Sequence, residues 1–581
     1  VPSPLYFLNT MELSCKLLLY LDKRRVLMDM KNACVNFLLE MNETTARFPP
    51  FRYLLEIEII DVMNLFPDLG EFLLQEPLQL ERSCNEILFA CLQTVNNYTF
   101  CIEFPQVAVM LRLKSVPKIL LRTNPRTFSG LVRFSGLLLA VSKPTSYAFH
   151  SVWSCPEECE GNEVILQYVP KAPPKCYICR SILYENSGLK RCGEQVTATF
   201  NLKGQILPKT FLIADDLMPK LKLGSQYDIY GVILKKATSI WSIEEVVTLP
   251  APVTSPIPLA IADLYRDCRE LPWTFIYCLA SSIGLNVCPL NTFMELKINL
   301  LLSLASVKAN ELRTSKIIHV LAASFDTGYV GEIMTQARKL AKRSVFLGTS
   351  NADVSTTLIA SSGGVCVMPL PLHSYNQKQT SAILTAIESS EITTDTRKAE
   401  LRSAVWAQGM NFKKIVLFNV ANVFGTVCRG DLGQYTEEAI EFVLQRAVEL
   451  DEESEEEAKA HKDLASYLEL VAGLKVTLDD RTERLLRNYM LAARREIPKG
   501  VSVGNMGALV LTCLTSARLC RRTVANINDA IFAIWLHISG CPEQRIAPDE
   551  YLLPPADVRK LTKTIDGFKN WLEQFTCSMM E

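Results

Sequence analysis

One segment indicates the fold of this chain best, Gly363-Gly364-Val365-Cys366-Val367-Met368-Pro369-Leu370. Two glycines followed by a short apolar run predict a buried strand of a parallel sheet. In nucleotide-hydrolysing α/β domains, such a strand ends in two acidic residues that hold Mg²⁺ and polarise the water attacking the phosphate. Here those two positions are Pro369 and Leu370, and neither side chain can perform either task. The segment therefore predicts the frame of an ATPase domain without its chemistry.

The sequence on both sides of this segment alternates between helix-like and strand-like patterns, from residue 262 to about residue 440. Short continuous apolar runs are typical of parallel strands that helices cover on both faces. We predict four such strands, at residues 317–323, 343–347, 364–368 and 414–420. From residue 465 to the end, the apolar spacing predicts helices.

Size and composition exclude several classes of protein. A chain of 581 residues needs more than one core, and a net charge of -1 argues against a protein that simply coats nucleic acid. Charged or polar residues interrupt every apolar run before it could span a bilayer, so we predict no membrane partner. The first residues lack a signal-peptide pattern, and because the chain begins at Val1 rather than Met, its true N-terminus stays undefined. The 19 thinly spread cysteines predict a reducing compartment, the nucleus or the cytosol.

The N-terminal half divides into a helical part and a strand-rich part. Residues up to about 115 show mainly helical spacing, and strand patterns follow at 107–113, 131–141 and 227–234. Weak alternation in these strands is typical of a small closed barrel with inserted ribbons. A linker that disfavours helix separates this half from the next, because it holds Pro250, Pro252, Pro256 and Pro258.

Four cysteines form two short knuckles inside the strand-rich part. Cys155 and Cys159 have C-x3-C spacing, and Cys176 and Cys179 have C-x2-C spacing. Two such knuckles can place four thiolates around a tetrahedral Zn²⁺, and four sulfur ligands leave no open position for catalysis. We therefore predict a structural zinc site. The alternatives are four unrelated buried thiols, or a site in which His150 replaces one cysteine.

Cys192 lies beyond the second knuckle and is predicted to be a core thiol rather than a metal ligand.

Taken together, these features resemble the minichromosome maintenance (MCM) proteins, and within them a divergent group that acts in meiotic recombination. The likeness covers most of the chain: the four cysteines match the family's zinc ribbon, and further similar segments lie at 68–78, 224–231, 361–366 and 486–489. The resemblance implies a multidomain α+β and α/β protein with an N-terminal helical subdomain, an OB-fold β-barrel with a zinc ribbon, a degenerate AAA+ α/β domain and a helical lid. The implied boundaries are 1–115 for the helical subdomain, 116–249 for the OB-fold with its zinc part at 150–195, 250–261 for the linker, 262–475 for the degenerate core and 476–581 for the lid.

The sequence departs from the family at the positions that handle the nucleotide. An MCM phosphate loop carries a Lys and a Ser or Thr at the start of a helix, where the cation and the hydroxyl serve the phosphates and Mg²⁺. Val330 and Gly331 occupy those two positions here, and Asp326 would add a negative charge facing the triphosphate. Pro369 and Leu370 replace the acidic pair of the Mg²⁺-binding strand.

Two arginine positions of the family also lack arginine. In the lid, Gly504 falls where the family has a nucleotide-sensing Arg, and the arginine-finger segment at 409–412 contains no Arg. Loss of such electrostatic groups lowers phosphoryl-transfer rates by orders of magnitude. The resemblance with these departures implies a protein that is not an enzyme, with no catalytic residues and with ATP binding not expected.

The function implied by the resemblance is that of a non-catalytic scaffold subunit in the nucleus. It would promote meiotic recombination, crossover formation and DNA double-strand-break repair in a hetero-oligomer with an ATP-competent MCM-family protein and other recombination proteins. It would bind DNA weakly by itself through the OB-fold. One alternative is an active ATP-dependent DNA helicase of the MCM family with an unusual nucleotide site. Another is a zinc-containing interaction module unrelated to that family.

Overall fold

A computed structural model describes most of the chain. The described residues are 4–43, 47–96, 101–117, 130–159, 163–234, 238–251, 256–324, 327–349, 352–410, 415–430, 437–448, 455–496, 503–540, 546–552, 554–555 and 557–577. The chain divides into two compact units, Val1–Val246 and Val247–Glu581. The finer division into five parts stays a prediction.

The first unit begins with helices and a small parallel sheet and continues as an antiparallel sheet. Its elements in chain order are α1 (Pro4–Lys23), α2 (Val26–Glu43), β1 (Phe51–Glu58), α3 (Ile59–Leu65), α4 (Pro67–Gln75), α5 (Pro77–Asn96), β2 (Val107–Lys114), β3 (Leu131–Val141), β4 (Thr145–Ser154), β5 (Val164–Leu166), β6 (Tyr184–Glu185), β7 (Arg191–Leu202), β8 (Lys209–Ala214), β9 (Gln226–Ile233) and β10 (Thr238–Glu245).

The N-terminal helices of the first unit pack with the parallel pair of β1 and β2. Parallel strands need a crossover connection, and α3, α4 and α5 supply it. Pro67 and Pro77 each take the first position of a helix, where a missing N–H is tolerated. Buried and half-buried residues alternate along β2, as expected for a strand with one face in the core. The pattern of residues 107–113 predicted β2 correctly, whereas β1 was not predicted.

The larger sheet of this unit has eight strands, and all its pairings are antiparallel. Its main path is β10-β9-β3-β7-β4-β5, with β6 paired to β4 and β8 paired to β7. Register shifts in three of the pairings bend the long strands. At Gly231 of β9, a side-chain carbon would lie 2.4 Å from the Ser239 carbonyl oxygen, so only glycine allows β10 to come this close. The strands predicted at 131–141 and 227–234 correspond to β3 and β9.

The second unit is a helix-covered parallel sheet followed by a group of helices. Its elements in chain order are α6 (Leu259–Asp267), α7 (Pro272–Ser281), α8 (Met294–Glu311), β11 (Val320–Ser324), α9 (Thr327–Ala337), β12 (Ser344–Phe346), α10 (Val354–Ala360), β13 (Val365–Pro371), α11 (Gln377–Ser389), β14 (Glu391–Thr393), β15 (Lys398–Glu400), β16 (Ala404–Met410), α12 (Ile415–Phe424), β17 (Val427–Arg429), α13 (Glu437–Val448), α14 (Glu455–Ala472), β18 (Thr477–Leu478), α15 (Asp480–Glu496), α16 (Val503–Leu519), β19 (Val524–Ala525), α17 (Ile527–Ser539) and α18 (Val558–Cys577).

The parallel sheet of the second unit has five strands in the order β12-β13-β16-β11-β17. Helix α8 is buried over nearly its whole length, since its apolar residues do not keep to one face. The glycines before β13 are explained by the close approach of β12. A side-chain carbon on Gly364 would lie 1.9 Å from the Arg343 carbonyl oxygen, and Gly363 has a φ of +74° that favours glycine. The strands predicted at 317–323, 343–347 and 364–368 correspond to β11, β12 and β13.

One predicted strand is wrong. Residues 415–420 of the run predicted as a strand at 414–420 belong to helix α12, and residue 414 lies outside the described residues. The strand that completes the sheet is β16, which the apolar pattern did not reveal. A short continuous apolar run fits a buried strand and a buried helix equally well, so hydrophobic periodicity alone could not separate them.

The mixed α/β composition with N-terminal helices and an antiparallel sheet is confirmed. Cys192 was predicted to be a core thiol, and this is wrong because it is exposed on β7. Among the helices of the described segments, none combines the length and the apolar character needed to cross a bilayer.

Candidate functional site

The four cysteines predicted as metal ligands lie in two turns next to β4 and β6. Cys155 follows the last residue of β4, and the Glu158 N–H donates to its carbonyl oxygen at 3.2 Å. In the second turn, the Arg180 N–H donates to the Cys176 carbonyl oxygen at 3.1 Å. Glu158 and Arg180 both have positive φ, which lets each turn fold back tightly after its cysteine.

The turns bring the four sulfur atoms of Cys155, Cys159, Cys176 and Cys179 within 4.8 Å of one another. The sulfurs of Cys155 and Cys179 are 3.4 Å apart. Ligands about 2.3 Å from a tetrahedral zinc ion would have their sulfurs roughly 3.8 Å apart, so the spacing fits that metal. The site rests on a small core of its own, in which Trp153 and Leu183 pack against Cys155 and Cys176.

Burial and hydrogen bonds shift the pKa values of the cysteines in this cluster in opposite directions. Burial raises the pKa of Cys159 to about 12. Hydrogen bonds from the Ser181 hydroxyl and backbone N–H lower the pKa of Cys179 to about 6. The Cys179 N–H in turn donates to the Cys176 sulfur at 3.2 Å. The surrounding hydrogen bonds thus favour the thiolate form of Cys179, which is the form that binds a metal.

His150 does not replace a cysteine in this cluster. Within the described residues, the group that could hold a metal consists of the four cysteines alone. His150 is buried on β4, and burial lowers its pKa. The alternative of four unrelated thiols does not fit either, because the sulfurs lie together.

The region predicted as a phosphate loop follows β11. Residues 325 and 326 lie outside the described residues, so the negative charge expected from Asp326 at this place stays a prediction. Helix α9 begins at Thr327, and Val330 in its first turn is fully buried in the main core of the second unit. At the next position, a side-chain carbon on Gly331 would lie 3.3 Å from both the Pro369 carbonyl oxygen and the Gln408 amide nitrogen.

The end of β13 is where the acidic pair of a nucleotide site would stand. The register between β13 and β16 shifts between Val367 and Pro371, because Pro369 has no N–H to donate. The Leu370 side chain is 45% exposed, and its N–H faces the Tyr375 hydroxyl at 3.4 Å. Neither Pro369 nor Leu370 has a side-chain carboxylate, so neither side chain can bind a metal here.

Gln408 of β16 was not predicted to matter, yet it connects these two regions. Its side chain is fully buried, and its amide N–H donates to the Pro369 carbonyl oxygen. Its amide oxygen has no hydrogen-bond partner among the described residues. Gln408 thus fills the space between Gly331 of α9 and Pro369 of β13. No local pattern of residue types marks this contact, because Gln408 and Pro369 are 39 positions apart.

A buried acid lies at the other side of the sheet. Glu295 at the start of α8 is 4% exposed, and its carboxylate accepts from the Arg429 N–H of β17 at 2.9 Å. Burial raises the pKa of Glu295 to about 7. This contact could not be predicted from a local sequence pattern, because the two residues are 134 positions apart.

The two arginine positions of the lid and the finger segment are described only in part. Gly504 lies in the first turn of α16 and is exposed, whereas residue 502 is outside the described residues. Gly409 belongs to β16, and residues 411 and 412 of the finger segment are also outside.

Comparison with known proteins gives a consistent result. The family model described as "MCMDC2, N-terminal domain" matches residues 13–116. A mouse (Mus musculus) protein named minichromosome maintenance domain-containing protein 2 is 21% identical over 91% of both chains. Proteins of the same name from Rattus norvegicus and Homo sapiens are 22% and 21% identical, each over 65% of this chain and 62% of their own length. The predicted resemblance to the MCM family is therefore confirmed, and this chain is similar to the proteins named minichromosome maintenance domain-containing protein 2.

Proposed function

We propose that this protein is a non-catalytic, MCM-like scaffold subunit that promotes meiotic recombination, crossover formation and DNA double-strand-break repair in the nucleus. Its partner would be an ATP-competent MCM-family protein, within a hetero-oligomer that also contacts other recombination proteins. The proposal rests on the resemblance to the MCM family together with the residues at the carboxyl edge of the parallel sheet.

The observation that carries the proposal is the contact between Gly331, Pro369 and Gln408. Strand β11 lies inside the parallel sheet, whereas β12, the next strand along the chain, lies at the edge of the sheet. Ligands of such sheets bind outside the carboxyl ends of the strands near such a change of direction. A glutamine side chain, a proline carbonyl and a helix backbone lie close together near that place, which supports the proposal. The buried Val330 supplies no cation for a phosphate, and Pro369 and Leu370 supply no acids for Mg²⁺.

In this proposal the parallel sheet and its helices form a degenerate AAA+ core, and α15 to α18 form a helical lid. Such a body keeps the surfaces that meet neighbouring subunits even when its own nucleotide site is empty. Association with a partner that hydrolyses ATP would then place this chain in a working assembly without any turnover of its own.

The antiparallel sheet would form an OB-fold that contacts DNA, and the four cysteines would hold a structural zinc ion. Zinc bound by four thiolates offsets half of their negative charge and cross-links the two turns, with no role in a reaction. The β7–β8 turn is a candidate for DNA contact, because Lys203, Ile206 and Leu207 in this turn are all exposed, the two apolar side chains to 98% and 76%. A net charge of -1 for the whole chain suits weak DNA binding outside the assembly.

ATP turnover by the zinc-loaded chain, measured with and without single-stranded DNA, tests the proposal. We expect no turnover above background in either case. Turnover that DNA stimulates and that Thr327→Ala abolishes would overturn the proposal and favour an active helicase. Gel filtration with an ATP-competent MCM-family protein tests the scaffold role, since a chain that never co-elutes with such a protein is not its subunit.

A further inference from the structure

The second cysteine turn carries an exposed surface of tyrosine, isoleucine and basic side chains. Residues 175 and 182 pair across the turn in an antiparallel bridge, so Lys175 and Ile182 are direct neighbours on one face. Tyr184 lies two residues beyond Ile182 on the same face, because the buried Leu183 points the other way. We call the exposed side chains of this turn the knuckle face; it consists of Lys175, Tyr177, Ile178, Arg180, Ile182 and Tyr184.

The knuckle face exposes four large apolar side chains to solvent. The exposed fractions are 74% for Tyr177, 55% for Ile178, 61% for Ile182 and 54% for Tyr184. Two of these residues lie between the metal-binding cysteines at the tip of the turn. Clusters of this kind, unlike single exposed apolar residues, mark interaction sites.

The segment that forms this turn contains basic side chains and no carboxylates. Between residues 164 and 184 the sequence contains Lys171, Lys175 and Arg180 and no Asp or Glu. All three basic residues are exposed, and no ion pair to any of them is found within the described part of the chain. Positive groups among exposed aromatic rings are complementary to a ligand with negative charge and flat apolar faces.

We propose that the knuckle face binds single-stranded nucleic acid, with bases stacked on Tyr177 and Tyr184 and phosphates against Lys175 and Arg180. Stacking on aromatic side chains needs unpaired bases, so a single strand fits this face better than a duplex. The cysteine cluster holds the turn in one conformation, which reduces the entropy lost when a strand binds. This inference rests on the proposed metal site and adds a DNA contact separate from the β7–β8 turn.

Fluorescence anisotropy with labelled thirty-nucleotide oligothymidine and the zinc-loaded chain tests the inference. We expect Tyr177→Ala and Tyr184→Ala each to weaken binding at least about fivefold, since stacking contributes about that much or more per base. Tyr177→Phe should retain the affinity, because the ring is kept. Arg180→Ala should lower the slope of log affinity against log salt by about 0.7, as loss of one phosphate contact to a single strand would.

Controls separate this inference from other causes. Zinc content is measured for every variant, so that loss of the metal is not mistaken for loss of stacking. Leu259→Ala, a side chain 80% exposed on α6, should leave binding unchanged. Parental affinity in both tyrosine-to-alanine variants with full zinc content, or no binding of oligothymidine by the parent chain, would overturn the inference. Either result would leave the ATPase test of the proposed function unaffected.

Discussion

Introducing a lysine at Val330 would show whether this position faces a nucleotide or the core. In an active phosphate loop, the lysine at this place reaches the phosphates. Here the Val330 side chain is 0% exposed and shares a core cluster with Ile333 and Trp406. We therefore expect Val330→Lys to destabilise the fold and to create no affinity for ATP.

The size of the effect follows from burial. Losing the buried valine contacts costs about 1–3 kcal/mol. An ammonium group without a partner in this core would have to become neutral, and losing its proton at pH 7 from an ordinary pKa of about 10.4 costs roughly 4–5 kcal/mol more. The total of about 5–8 kcal/mol is a large share of the stability of a typical domain.

Urea denaturation followed by tryptophan fluorescence measures the loss, because Trp406 reports on the same core. The matched control is Val443→Lys on α13, where the valine is 39% exposed and the change should cost less than about 1 kcal/mol. A Val330→Lys variant with parental stability and Mg²⁺-dependent ATP binding would instead mean that this side chain faces a nucleotide pocket.

Three other changes have defined outcomes. Asp529→Ala removes a buried carboxylate that accepts two hydrogen bonds from Arg522, at 2.6 and 2.8 Å. This change should lower the free energy of unfolding by about 3–5 kcal/mol. Adding Arg522→Ala in a double variant should lower the free energy of unfolding little further. Burial raises the pKa of Glu295 from 4.5 to about 7, so folding becomes less favourable as the pH rises through that range. The advantage of Glu295→Gln over the parent in free energy of unfolding should therefore grow by about 2 kcal/mol between pH 5.5 and pH 8. An equal advantage at both pH values would contradict this assignment. Cys176→Ser should abolish zinc binding in elemental analysis and increase hydrogen exchange in residues 155–185, whereas retained zinc would mean that the four sulfurs do not form one site.

Flanking residues helped to assign one of the apolar runs to a strand. The run at 364–368 follows two glycines that the close approach of β12 requires, so its assignment as a strand was correct. The run at 414–420 has no such signal, and it belongs to a helix as far as it is described. The tertiary partners of a short apolar run decide between strand and helix, and the sequence does not give those partners.

The candidate sites were predictable to different degrees. The paired spacing of Cys155, Cys159, Cys176 and Cys179 was sufficient to predict that their sulfurs meet. The closing of the space beside Gly331 depends on Gln408, and the contact of Glu295 depends on Arg429. These contacts join residues far apart in the chain, and no local pattern of residue types marks them.

Calorimetric titration of Mg²⁺–ATP into the zinc-loaded chain shows whether the space beside Gly331 accepts a nucleotide. We predict no saturable heat of binding up to about 1 mM nucleotide, which limits any binding free energy to less than about 4 kcal/mol in magnitude. Saturable, Mg²⁺-dependent binding in the micromolar range, which Gly331→Trp abolishes without unfolding the chain, would instead make this space a nucleotide site.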